Sequence, residues 1–183
     1  MKLNTNRMEA LVDGIFAIVM TVMIISLNEV VSFVHPASNG DFYRLFSSIA
    51  DDFIVYVSSF LILGVLWFEH HWQFHFIKRI NPVLVFINIA WFVFLCIIPF
   101  TTMLFGNYHN FFVPVIVFEF NIFIAFLILY INWLYATHKG RLTEAPLDKK
   151  ILSKHRNISL FLMIFMLSAI AVTLIFHVMH RQV

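Results

Sequence analysis

The chain is 183 residues long, 61% hydrophobic and only 12% charged, with a formal net charge of +2. A soluble domain of that length needs far more polar surface, so the composition excludes one and requires an integral membrane protein. Twenty-three phenylalanines against five glycines and five prolines favour long, regular helices over a barrel, whose strands would show as short alternating segments.

Crossing the hydrocarbon core takes about 20 apolar residues, and five runs qualify: 8 to 30, 48 to 72, 82 to 105, 111 to 136 and 157 to 179. The polar breaks between them fall at 31 to 47, 73 to 81, 106 to 110 and 137 to 156. The first run is too long for a signal-peptide core, holds two acids and lacks a small-residue cleavage site, so it is expected to be retained. Pro82 opens the third run, where its missing N–H costs nothing. Cys96 lies in an apolar run and has no second cysteine to pair with. No internal repeat relates the halves of the chain. The expected architecture is an all-α integral membrane protein with one transmembrane helical domain over residues 1–183. It is a bundle of five helices, or six if 151 to 183 fold as a pair.

The first run begins RMEALVDGIFAIVMTVMI, at 7 to 24, with an arginine and two carboxylates in its opening turns. Charge in a bilayer is costly unless it is paired or faces water, so such groups point to a functional site. At helical periodicity Ile18, Val22 and Ile25 share a narrow arc with Thr21 at its edge, while Glu9 and Asp13 lie opposite. The pattern alone allows the aliphatic ladder to meet lipid or a neighbouring helix. The carboxylates require protein contact on their own side.

Cytoplasmic loops are enriched in Lys and Arg. All twelve basic residues except Arg44 and Arg181 lie before the first run or in the second and fourth breaks. The N-terminus is therefore expected in the cytoplasm, and the positive charge reports topology, not a nucleic-acid surface. Asp51 and Asp52 open the second run from the other side, where acids suit a helix N-terminus and would concentrate cations. His71 and His75, four apart on one helical face, have metal-ligand spacing. Membrane di-iron enzymes need several such histidine boxes, and one is present, so no metal is expected. Glu119, Asn121 and Asn132 sit inside the fourth run, where Glu119 has no obvious basic partner.

The stretch from Arg7 to Ile18, with Arg7 and Asp13 in place, resembles the signature that opens the first helix of the transmembrane protein 175 family, Arg-x-x-x-Phe-Ser-Asp. Leu11 and Val12 replace its Phe and Ser. Trp67, His70 and His71, then Ile77-Lys78-Arg79, Asn88 and Ile98-Pro99-Phe100 follow in the family's order. The resemblance implies a potassium-permeable, homotetrameric cation channel of the prokaryotic type, multi-pass in the cell membrane, with the first helix lining a central pore. It implies neither an enzyme nor a cofactor beyond potassium as the permeant ion, and as partners monovalent cations, membrane lipid and further copies of the chain. Carried over, the resemblance puts the pore constriction on Ile18, Val22 and Ile25 and cation selectivity on Thr21. Arg7, Asp13, Trp67, His70, His71 and Asn88 then form a structural network, in which Asp13 is expected to accept from Trp67 and from His70 or His71. The other classes open to the sequence are a proton-coupled transporter using Asp13, Glu119 and the histidines, and a non-conducting scaffold.

Overall fold

The computed structural model describes residues 5–32 and 38–180. The side chains of Arg44, Asp51 and Asp52, and the whole of Arg181, lie outside the described part. Five helices follow one another: α1, Thr5–Ser32; α2, Asn39–Phe76; α3, Pro82–Tyr108; α4, Phe112–Thr137; and α5, Lys149–His180. All five carry stretches long and apolar enough to cross a membrane. Residues 151 to 180 belong to one continuous helix, so the paired alternative does not form.

Hydropathy marks where a helix crosses, not where it begins, and two elements outrun their apolar cores. α2 starts at Asn39, where Ser38 and Asp41 form a reciprocal capping box: the Asp41 amide donates to Ser38 Oγ at 3.3 Å and the Ser38 amide to Asp41 Oδ2 at 3.0 Å. It then continues through Phe76, taking in the polar residues from 73 onward. α5 begins at Lys149, inside the expected fourth break. α3 starts where Asn81 Oδ1 accepts from the Leu84 amide at 2.9 Å, with Pro82 in the first helical position.

α3 and α4 pack most extensively, α5 lies along α4, and α1 rests on α2 and α3. The core between them is built from Met8, Val12, Phe16, Val19 and Met23 of α1, Leu63 and Leu66 of α2, Leu84, Trp91, Leu95 and Ile98 of α3, and Ile122, Ala125 and Leu129 of α4. The basic ends of the helices are stitched together. A 3₁₀ turn, His138–Gly140, leads into a loop that meets the α2–α3 turn at the single bridge Ile77–Thr143. Arg79 reinforces it, its Nη2 donating to the carbonyls of Gly140 at 3.2 Å and Thr143 at 2.8 Å.

Candidate functional site: the first helix and the polar layer behind it

α1 packs through one stripe, Met8, Val12, Phe16, Val19 and Met23, all buried. That stripe leaves the ladder outside: Ile18 is 65% exposed, Val22 42% and Ile25 53%. Arg7, Leu11 and Gly14 lie within about 40° of Ile18 around the helix, so they belong to the same outward face. All three are exposed. Arg7 makes no hydrogen bond or ion pair among the described residues, and the structure does not join it to Asp13.

Thr21 is exposed beside the ladder, and its hydroxyl donates to the Ala17 carbonyl at 2.6 Å. The proton is thereby spent on the helix, and the oxygen presents lone pairs outward. The composition of this face also differs from its neighbours. Residues 5–25 hold a single aromatic, Phe16, and it is buried. The exposed faces of α3 and α5 carry Phe86 and Phe100, and Phe161 and Phe165. Small and aliphatic side chains let helices approach an axis closely; a phenylalanine mantle suits lipid.

On the far side of α1, Asp13 Oδ1 accepts from Trp67 Nε1 of α2 at 2.8 Å. His71 stacks on that indole with ring centres 5.4 Å apart, but does not bond to Asp13. His70 turns inward, stacked between Phe74 and Trp91, with its Nε2 3.0 Å from Asn88 Oδ1. Trp91 in turn packs on Phe16 of α1. Asp13 therefore has one of its expected partners, and His70 serves a different one. Beside the base of α1, a polar cavity of about 310 Å³ lies among Glu9, His71, His75 and Lys78. No cluster of three or more His, Cys, Asp or Glu side chains able to hold a metal gathers among the described residues.

From Asn88 the polar layer runs on into Asn132, inside the fourth run, and into Gln73 and His155, which hydropathy assigns to breaks. Asn88 Nδ2 donates to the Leu84 carbonyl at 2.8 Å and to Asn132 Oδ1 of α4 at 2.9 Å. Asn132 Nδ2 donates to Gln73 Oε1 of α2 at 2.9 Å. Gln73 Nε2 donates to the Leu129 carbonyl at 3.0 Å and lies 3.3 Å from His155 Nε2 of α5. His155 Nδ1 is 3.4 Å from Glu69 Oε2, back on α2 and next in sequence to His70. The layer thus closes on itself across α2, α3, α4 and α5. The signal that could have revealed it was depth: Gln73, Asn88, Asn132 and His155 all lie near the basic end of the bundle, where polar side chains in a membrane seek one another. Glu119 stands apart, near the opposite end, accepting from Thr173 of α5 at 3.0 Å.

Residues 7–99, covering α1, α2 and most of α3, match the family described as Endosomal/lysosomal potassium channel TMEM175. A potassium channel of Streptomyces collinus is 27% identical over 106 residues, which are 57% of this chain and 48% of that protein. A potassium channel of a Chryseobacterium species is 28% identical over 103 residues, 56% of this chain and 50% of the relative. The chain thus matches about half the length of these curated relatives. The fold is similar to that of the crystal structure of a lysosomal potassium-selective channel TMEM175 homolog from Chamaesiphon minutus, with a TM-score of 0.67 at 20% identity, over 93% of this chain and 90% of that one. With its family match extending over half the sequence and its five membrane-length helices in the same arrangement, the chain is a multi-pass membrane protein that belongs to the TMEM175 family.

Proposed function

We propose that the chain is one subunit of a potassium-permeable cation channel, a homotetramer in which the outward face of α1 lines the axis. The observation that carries this reading is that face: an exposed aliphatic ladder without aromatics, on a helix whose acid is bonded to α2 on the other side. Ile18, Val22 and Ile25 would form rings that gate by dewetting, and Thr21, its proton turned back to Ala17, would offer oxygen lone pairs to a dehydrating ion. The relatives named as potassium channels support the choice of ion. One subunit supplies one such helix, so an axial pore requires closed symmetry. The cluster of basic residues at one end, Lys78, Arg79, Lys139, Arg141, Lys149 and Lys150, supports a cytoplasmic N-terminus in the cell membrane. The proton-coupled alternative draws no support from the geometry, since Asp13 and Glu119 share no hydrogen-bonded path among the described residues.

The test is a reversal potential in liposomes containing the purified protein under a potassium gradient. A channel gives a Nernstian shift, a coupled transporter a shift that follows the proton gradient, and a scaffold no current.

A further inference from the structure

The closed polar layer has a direction. The Leu84 and Leu129 carbonyls can only accept, so each fixes which end of Asn88 and Gln73 is the amide nitrogen. Asn132, between them, must then turn its oxygen to Asn88 and its nitrogen to Gln73. With both Asn88 protons committed, its oxygen takes a proton from His70 Nε2. With one Gln73 proton on Leu129, the other points at His155 Nε2, which must accept. The imidazole proton of His155 therefore sits on Nδ1, facing Glu69. Every donor in the layer points the same way, from His70 round to Glu69, and one tautomer of His155 completes it.

We propose that His155 is a proton-operated latch of α5 on the α2–α4 core. Protonation adds an N–H at Nε2 and turns the one acceptor that ends the Gln73 arm into a donor. Gln73 cannot flip to suit it without losing both Leu129 and Asn132. The new proton has another outlet: Ser159 Oγ, one turn along α5 and 3.4 Å from the same nitrogen. The imidazolium then bonds to its own helix and to Glu69, and the second Gln73 amide proton is left unpaired, while its bonds to Leu129 and Asn132 remain. His155 is faced from α2 by Glu69, Gln73 and the ring of Trp72, from α4 by Trp133 and from α5 by Ser159. Among these groups Glu69 alone titrates, while Lys154 and Arg156 flank the histidine on the exposed side of α5. The consequence for current rests on the channel reading above: Gln73 and His70 share the stretch of α2 that backs α1, so acid at the basic end should lower conductance.

His155→Gln is the discriminating variant, because a glutamine there can accept from Gln73 and donate to Glu69 at every pH. Once ¹⁵N spectra show His155 fully protonated, potassium flux through the intact protein in liposomes should have fallen about tenfold from its value at pH ~8, the scale set by one uncompensated buried hydrogen bond. The variant should keep its high-pH flux. Other histidines titrate equally in both proteins, so an identical pH profile for the two, or a flat one for the unaltered protein, overturns the latch. A second measurement does not depend on conduction: ¹⁵N spectra of histidine-labelled protein, assigned by the resonance missing from His155→Gln. They should show His155 with its proton on Nδ1 at high pH, passing to imidazolium on acidification. A neutral Nε2–H form at high pH overturns the proposal even if no current is seen, whereas absent current with the expected tautomer counts only against the channel.

Discussion

At the scale of single residues, Ile18 and Thr21 would make opposite demands on an ion in the proposed pore. Four sec-butyl groups around an axis hold off a hydrated cation because they cannot replace its water. Ile18→Asn should wet that ring, and removing even ~1.4 kcal/mol of barrier raises conductance about tenfold while discrimination between cations falls. Thr21→Ala removes oxygen ligands but not the girdle, so it should lower potassium preference at little change in conductance. Single-channel conductance and potassium-to-sodium reversal shifts measure both, and unaltered permeation in the two variants would take α1 out of the pore. In the layer behind, Asn132→Leu strands an Asn88 proton and the Gln73 oxygen in a dry interior, at a cost of roughly 1 to 3 kcal/mol. Unfolding in mixed micelles reads that loss, and a stability equal to that of the unaltered protein would mean that the layer contributes specificity alone. The periodicity of α1 made its ladder legible in the sequence. The face opposite the ladder was legible only in part, because Asp13 announced a protein contact but Met8, Val12 and Phe16 look no different from lipid-facing residues. In a membrane, hydrophobicity does not distinguish the inside of a bundle from its outside.

Element by element, the five helices could be read from hydropathy, but their ends could not. Gln73 and His155 fell into expected breaks because polar residues near a membrane surface read as loops, although the helices carry on past the hydrocarbon. The layer that joins them was hidden for that reason, whereas Asn88 and His70, within or beside apolar runs, could be found. The α4–α5 connection was equally illegible, since its shape depends on two consecutive left-handed residues, Lys139 at φ 53° and Gly140 at φ 67°. Gly140 has a second constraint: a Cβ there would sit 3.3 Å from the Pro146 nitrogen. Gly140→Ala should therefore cost about 1 to 2 kcal/mol for the left-handed backbone alone, with a further loss from the crowded Pro146. The carbonyls of Gly140 and Thr143 that hold Arg79 would shift with it. A lower thermal midpoint, matched by Arg79→Ala and not deepened when the two are combined, would place both on the same stitch. Additive losses would mean that they act separately.

For the molecule as a whole, the proposed assembly turns on which apolar surface would meet lipid and which another copy. The exposed phenylalanines of α3 and α5 would make a broad outer wall, while the outward face of α1 offers Leu11, Gly14, Ile18, Val22 and Ile25 without an aromatic among them. A fourfold ring that turned α1 inward would bring the four Ile18 positions together at the axis and leave Phe161 of α5 at the periphery. Cysteine cross-linking distinguishes these surfaces, because a disulfide forms only where Cα atoms approach within about 7 Å. The native Cys96 is exposed on α3 and has to be removed first. In a Cys96→Ser background, Ile18→Cys should yield covalent dimers on mild oxidation in membranes, and Phe161→Cys should not. Light scattering of the unoxidised protein in mild detergent should give a protein mass of four chains. Dimers from Phe161→Cys and none from Ile18→Cys would turn the assembly inside out, placing the α1 ladder against lipid, and a monomeric mass would remove the pore altogether.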